Sequence, residues 1–146
     1  MYRLIMTLLL VLLVCACASH TTPSDIPDSI KLRSRVAQLC DAQMKQDWLS
    51  WYNMTTLRKE ISYDEFKAEA NKNATSYRIF SCNAERFVPK PVPENQKTDI
   101  KAMVAVEMDV QVIRGSSRPE KLKDATDYWS YSGGVWYWTW RGFPAD

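Results

Sequence analysis

The stretch DYWSYSGGVWYWTWR, residues 127–141, holds most of the tryptophan in the chain. Gly133 and Gly134 stand between two runs of strand-forming residues, a pattern typical of a two-residue β-hairpin turn. Such a turn places Ser132 opposite Val135, and residues pair outward from there with opposed residues on one face. One predicted face carries Trp129, Tyr131, Trp136, Trp138 and Trp140. This apolar area must be covered by helices of the same chain or by a partner.

A second strand, predicted over residues 99–113, alternates clearly between apolar and polar side chains. Its apolar face holds Ile100, Ala102, Val104, Val106, Met108, Val110 and Val112. A strand of this length must curve or carry a bulge, because sheets twist. A further strand is predicted over residues 75–88, with Pro89 ending it. We expect the valine face and the tryptophan face to lie on the same side of one sheet, under the helices.

Helical patterns come before these strands. The first helix is predicted to begin at a cap formed by Asp28 or Ser29 and to end near Lys45. The third is predicted to begin at the capping box SYDE, residues 62–65, to run through about Ala70, and to stop over residues 71–73.

The second predicted helix is short and aromatic. Trp48, Trp51 and Tyr52 fall at i, i+3 and i+4, so they share one helical face. These rings either fill the core or form the wall of a pocket.

The beginning of the chain is typical of an exported protein. Arg3 precedes an apolar run over residues 4–14, which is too short to span a bilayer and suits a signal-peptide core. The residues VCAC at 14–17 resemble the bacterial lipobox, whereas ACA at 16–18 fits a cleavage site for ordinary secretion. We expect residues 1–16 to be removed as a lipoprotein signal peptide and Cys17 to be lipidated, with Cys15 as the alternative lipid site.

The residues after Cys17 predict where the protein is anchored. They lack aspartate, which by analogy with bacterial sorting signals favours the outer membrane over the inner. We expect residues 17–27 to be a polar tether and residues 28–146 to be a single periplasmic domain; a secreted, soluble protein is the alternative. Without Arg3 the chain is nearly neutral, so it lacks the electrostatic field that gathers nucleic acid.

Two cysteines, Cys40 and Cys82, fall within the predicted domain. In an oxidising compartment this pair is a disulfide candidate, and its loop would contribute ~4 kcal/mol in the chain-entropy model. The alternative is two buried free thiols.

The candidates for chemistry are few. The single histidine, His20, falls in the tether, and the sequence lacks zinc spacings, glycine-rich phosphate loops and nucleophile elbows, so we predict no metal and no cofactor. Glu107 and Asp109 would suit acid–base work if buried, but their polar strand face and the nearby lysines of the returning strand favour ion pairs. The weak catalytic candidate is Asp127, which is expected opposite Trp140 with a raised pKa. Its suggested partners are two tyrosines, Tyr52 and Tyr63.

The order of elements and three short signatures resemble the nuclear transport factor 2-like superfamily over roughly residues 29–141. The signatures are Asp47-Trp48 with Tyr52, Thr55 and Arg58; the segment SYDEF at 62–66; and Asp127-Tyr128-Trp129 with Trp136-Tyr137. Where many relatives have a serine-proline pair, this chain has Thr55-Thr56-Leu57. The resemblance implies a cone-shaped α+β fold, with N-terminal helices packed on a strongly curved antiparallel sheet around a cavity. It does not by itself imply a function.

Three hypotheses follow for the function. The leading one is an outer-membrane lipoprotein whose periplasmic domain binds or assembles without catalysis, with an envelope protein or a second copy of the chain as partner and no nucleic acid. The second is a carrier or sensor of a small apolar ligand in the aromatic cone. The third is an isomerase- or dehydratase-like enzyme that uses Asp127. The candidate contact residues are Trp48, Tyr52, Trp129, Tyr131, Trp136 and Trp138.

Overall fold

The computed structural model describes residues 26–139. The predicted signal peptide, Cys15, Cys17, His20 and Trp140 therefore lie outside the described residues. The helices are α1 (Ser29–Lys45), α2 (Trp48–Asn53) and α3 (Tyr63–Ser76), with short 3-10 helices at Thr56–Lys59 and Glu94–Gln96. The strands are β1 (Arg78–Lys90), β2 (Ala102–Ile113), β3 (Glu120–Lys121), β4 (Thr126–Ser132) and β5 (Val135–Thr139).

The helix starts follow local capping chemistry. Ser62 and Glu65 form the predicted capping box at the start of α3, because each side chain accepts a hydrogen bond from the other residue's backbone N–H. Asp47 caps α2 by accepting the backbone N–H of Ser50 at 3.1 Å. Asp28 is the N-cap residue of α1, as one of the two predicted candidates, but it adopts a left-handed backbone with φ 52° and its carboxylate binds Lys31 instead of a backbone N–H of the helix.

The end of α3 also differs from the prediction. The helix continues through residues 71–73, which were expected to stop it, and ends at Ser76. Asparagine lowers helix propensity only modestly, so it does not by itself end a helix whose inner face is packed. Phe66 and Ala70 are buried on that face, and Tyr77 then takes the extended backbone that leads into β1.

Within residues 26–139 the strands form one antiparallel sheet in the order β1-β2-β4-β5, with β3 paired to β2. Two register shifts in β1, between Ile79 and Ser81 and between Ala84 and Arg86, are the places where bulges bend the strand. Pro89 does not end β1 as predicted but pairs with Val104. Among the described strands β1 pairs with β2 alone, and a residue without an N–H is tolerated on such an edge strand.

The tryptophan hairpin has the predicted register. Ser132 pairs with Val135, Tyr131 with Trp136, and Trp129 with Trp138. Gly133 and Gly134 both have positive φ, at 57° and 81°, as the two central residues of a tight hairpin turn require.

The valine and tryptophan faces coincide, as predicted. Val104 of β2 stands opposite Trp129 of β4, and both are buried in one cluster with residues of α1. Cys40 of α1 is bonded to Cys82 of β1, with 5.7 Å between their Cα atoms, so a disulfide joins the helix to the edge strand. The predicted fold class, α+β with helices packed on a curved antiparallel sheet, is confirmed.

Two contacts near the ends of the described chain extend the packed region. Ile26 is buried, and the indole Nε1 of Trp136 donates to the carbonyl of Pro27 at 3.1 Å. These two residues, which the sequence analysis placed in the tether, are therefore packed on the domain. At the far edge of the sheet, the backbone N–H of Trp138 donates to the carbonyl of Met54 at 2.8 Å, so the segment after α2 continues the sheet beyond β5.

Candidate functional site

A cavity of about 360 Å³ lies between the concave face of the sheet and the helices. Its walls come from the end of α1, from α2 and α3, and from β1, β2, β4 and β5. The sheet side is apolar, with Met108, Val110 and Val112 of β2 among the lining residues. The helices therefore do not cover the whole concave face of the sheet, and the cavity lies over the part that they leave open.

Three indole rings form the aromatic wall of this cavity: those of Trp48, Trp51 and Trp138. The ring centres of Trp48 and Trp51 are 5.8 Å apart, and those of Trp51 and Trp138 are 5.6 Å apart. Phe66 supports Trp51 from behind in an edge-to-face contact at 5.4 Å. The i, i+3 spacing in α2 and the bridge between Thr55 and Trp138 bring these rings together.

Asp127 is the one acidic residue among the described lining residues of the cavity. It stands opposite Val106 in the β2–β4 pairing, so its side chain belongs to the concave, apolar face. Burial raises the pKa of Asp127 to about 6, and the indole of Trp138 opposes this by hydrogen bonding to the carboxylate. The residue is half-buried and lines the cavity, so its side chain borders the space that a ligand would occupy.

Further polar residues of the lining come from the helices and from the start of β1. The amides come from Gln43 of α1, Gln46 in the connection after α1, and Asn73 of α3. Tyr77 contributes a phenol. Arg78 is the basic lining residue among those the structure describes, and it is exposed. The site therefore combines a carboxylate, indole faces and amides.

Several predicted site residues lie elsewhere. Tyr52 does not line the cavity, because its hydroxyl donates to the carbonyl of Ile61 at 2.8 Å and its ring packs on Phe66 and Tyr63. The predicted grouping of Asp127 with Tyr52 or Tyr63 is thus not formed.

The other hairpin aromatics support the core. Trp129 is completely buried, and Trp136 is buried with its ring 5.0 Å from that of Tyr131. Of the six predicted contact residues, Trp48 and Trp138 line the cavity. Trp51 does as well but was not among those candidates, although its spacing from Trp48 was the available signal.

The second pair of acidic candidates is structural. Glu107 binds Arg86 at 2.5 Å and Asp109 binds Lys121 at 3.1 Å, both on the opposite face of the sheet. Arg86 holds the pKa of Glu107 below its usual range. These pairs agree with the ion-pair interpretation of the polar strand face.

A second hollow of about 580 Å³ lies on that opposite face, beside Thr56–Lys59 and Glu94–Gln96. Its charged lining residues are mixed in sign: Arg58, Lys59, Glu60 and Asp99. The guanidinium of Arg58 is already engaged, because it donates to the hydroxyl of Tyr137 at 2.9 Å and lies over that ring. This hollow does not select one ligand chemistry.

Membrane-spanning helices and metal-binding clusters are both absent from the described residues. In the described part of the chain, no helix combines the length and apolar character needed to cross a membrane. Across residues 26–139, no cluster of three or more histidine, cysteine, aspartate or glutamate residues could hold a metal ion.

Comparison with known proteins shows a structural likeness but no match to a family model or a curated protein. A solved structure described as a proposed Ca/calmodulin-dependent kinase II association domain from Exiguobacterium sibiricum is similar, with a TM-score of 0.49 and 8% sequence identity over 78% of this chain and 89% of that chain. A likeness at this level carries no argument about family or function, so membership of the nuclear transport factor 2-like superfamily stays a prediction.

Proposed function

We propose that this domain holds a small molecule in the concave cavity, as the binding part of an envelope lipoprotein that does not transform its ligand. The observation that carries the proposal is the juxtaposition of Asp127 with three indole rings around an open space of about 360 Å³. That volume falls within the ~300–1,000 Å³ of typical ligand sites, which are mostly apolar with a few polar groups. The indole rings of the cavity lie between the helices and the sheet, which favours a ligand inside the cone over a partner bound to the outside of the hairpin.

The cellular location of the protein is part of this proposal. The leader and the lipobox-like residues before Cys17 support an outer-membrane lipid anchor with the domain in the periplasm, and secretion is the alternative. The bond between Cys40 and Cys82 supports an oxidising compartment, where disulfides persist. An envelope protein or a second copy of the chain remains a proposed partner, and it would meet the face of the sheet opposite the cavity.

A second candidate function is favoured by one observation. A carboxylate whose pKa is about 6 is suited to act as a general base near neutral pH, as in the isomerase- or dehydratase-like hypothesis. Tyr77 is the tyrosine among the described lining residues, so it replaces Tyr52 and Tyr63 as a potential partner. Binding is preferred because this site offers one carboxylate without a second strong acid–base group.

Ligand screening with a matched pair of variants tests the proposal. Full-length protein in non-ionic detergent is titrated with small molecules while tryptophan fluorescence and Tm are followed. Trp48→Ala removes part of the cavity wall, whereas Leu49→Ala removes an exposed side chain of the same helix that does not line the cavity. We expect bound compounds to lose at least fivefold in affinity in Trp48→Ala and to bind Leu49→Ala normally.

The same samples distinguish binding from catalysis. Each bound compound is recovered after incubation and analysed by mass spectrometry. Unchanged compound supports the binding function. A compound that is converted by the parent protein but not by Asp127→Asn would replace it with the enzyme hypothesis, and equal affinity for Trp48→Ala and Leu49→Ala would place the site outside the cavity.

A further inference from the structure

The carboxylate of Asp127 lines the cavity and has no ion-pair partner among the residues that the structure describes. Six ion pairs are formed within residues 26–139, and none of them includes Asp127. Arg78 lines the same cavity, but its side chain is exposed and it forms no ion pair with Asp127 in the described part of the chain. A carboxylate removed from water without a countercharge is unfavourable, and binding a cation beside it relieves that cost.

The rings around this charge are suited to the same kind of ligand. The face of an indole carries negative electrostatic potential, and tryptophan is the strongest of the aromatic residues in attracting a cation within ~6 Å of the ring centre. Trp48, Trp51 and Trp138 all line this one space. Their carbon atoms also cover the apolar body of an organic ligand, which a hydrated metal ion lacks.

Other ligand classes fit less well. An anion would be repelled by Asp127, and the one basic residue of the described lining, Arg78, is exposed to water. A neutral apolar ligand would displace water from the carboxylate and leave the charge uncompensated. The amides of Gln46 and Asn73 are compatible with a polar substituent but do not balance a charge.

We infer, resting on the proposed function, that the ligand is an organic cation: an amine or ammonium whose charged nitrogen lies beside the Asp127 carboxylate and whose carbon body lies on the indoles of Trp48, Trp51 and Trp138. The Asp127 oxygens accept hydrogen bonds from a protonated amine, and hydrogen bonds of this charge-assisted kind are stronger than those between neutral groups. Recognition combines charge pairing with cation–π attraction.

Three probes of nearly equal size separate these classes. 2-Phenylethylammonium is the cation, 2-phenylethanol is its neutral counterpart, and 3-phenylpropanoate is the anion. Each is titrated into full-length protein in non-ionic detergent by isothermal calorimetry near neutral pH. We expect the cation to bind at least tenfold more tightly than the alcohol, and the anion to bind more weakly than either.

The variant Asp127→Asn tests the charge with little change of shape. We expect the advantage of the cation over the alcohol to fall to less than threefold, while the affinity for the alcohol is kept or improved. Trp48→Ala should lower the affinity for both the cation and the alcohol. Leu49→Ala should leave both affinities unchanged.

The outcomes separate this inference from the proposed function. The alcohol or the anion could bind as tightly as the cation and lose affinity in Trp48→Ala. In that case the inference of a cationic ligand is wrong, and the proposed binding in the cavity stands. If the cation binds but Asp127→Asn leaves its advantage intact, the assignment of the charge to Asp127 is wrong. If none of the probes binds and no compound in the wider screen does, the proposed function fails as well.

Discussion

The indole rings of Trp51 and Trp138 lie 5.6 Å apart at an interplanar angle of 51°, which joins the short helix α2 to the last strand of the sheet. The contact depends on two features far apart in the sequence: the i, i+3 spacing that turns Trp51 inward and the hairpin register that turns Trp138 to the concave face. Asp127 lines the same cavity from the neighbouring strand. This arrangement is the basis of the proposed binding site.

Replacing Asp127 with asparagine is expected to stabilise the fold near pH 7. Burial raises the pKa of this carboxyl from 3.8 to about 6, so the folded chain holds the proton more tightly than the unfolded chain. The resulting stabilisation is fully present below about pH 4 and is lost as the pH rises through about 6. The free energy of unfolding of the variant should therefore exceed that of the parent by at most ~3 kcal/mol near pH 7. The difference should be small near pH 3.5.

Urea unfolding at the two pH values checks this prediction. Asp109→Asn is the matched control, because Asp109 forms a partly exposed ion pair with Lys121, and its loss should change stability by less than ~1 kcal/mol. A parent protein that is more stable than Asp127→Asn near pH 7 would mean that the charged carboxylate has a favourable partner in the fold.

Removing the disulfide should lower stability substantially. The bridge between Cys40 and Cys82 joins α1 to β1 across 42 residues of sequence. Restricting the unfolded chain by such a link is worth ~4 kcal/mol, and the double variant Cys40→Ala/Cys82→Ala should lose about that free energy of unfolding. A reductant should lower the urea midpoint of the parent and leave that of the double variant unchanged; equal sensitivity of both proteins would contradict the prediction.

The capping box offers a local test of the helix that supports the aromatic wall. Ser62→Ala removes the hydroxyl that accepts the backbone N–H of Glu65, and we expect a loss of ~1 kcal/mol in the free energy of unfolding. Ser117→Ala is the control, since the hydroxyl of Ser117 donates to the carbonyl of Arg114 in an exposed turn. Similar losses in the two variants, measured by urea unfolding, would argue against a specific role for the cap.

Binding of an organic cation should weaken as the pH falls. Protonation of Asp127 removes the charge that pairs with the ligand, so affinity for 2-phenylethylammonium should begin to fall near pH 6 and approach that of 2-phenylethanol at lower pH. Arg78 is the other charged residue among the described lining, and its side chain is exposed. Calorimetry across the pH range should give a sloping profile for the parent and a flat one for Asp127→Asn; a flat parent profile would contradict the assignment.

The sequence predicted the central sheet well because its signals are local and periodic. Gly133 and Gly134 define the hairpin register, and strict alternation places Val104 and Val106 on the face shared with Trp129. The errors occurred where a residue tolerates two contexts. Pro89 is compatible with an edge strand, and asparagines in the third turn of α3 do not end a helix whose inner face is packed.

The site was only partly predictable for a different reason. Periodicity indicates which residues face inward but not which inward positions are left uncovered, because that depends on where the helices end. Trp129 and Trp138 are directly opposed on one face, yet Trp129 is sealed in the core and Trp138 borders the cavity. The hydrogen bond from Tyr52 to the carbonyl of Ile61 likewise depends on the tertiary turn after α2.

The measurement that most directly tests the account is the ¹⁵N–¹H spectrum of the indole N–H groups, recorded while 2-phenylethylammonium is added. We predict that the resonances of Trp48, Trp51 and Trp138 shift in a saturable manner. The resonance of Trp136, whose N–H is bonded to the carbonyl of Pro27, should stay in place. Saturable shifts at Trp136 with none at Trp48, Trp51 and Trp138 would place the ligand elsewhere and contradict the proposed cavity site.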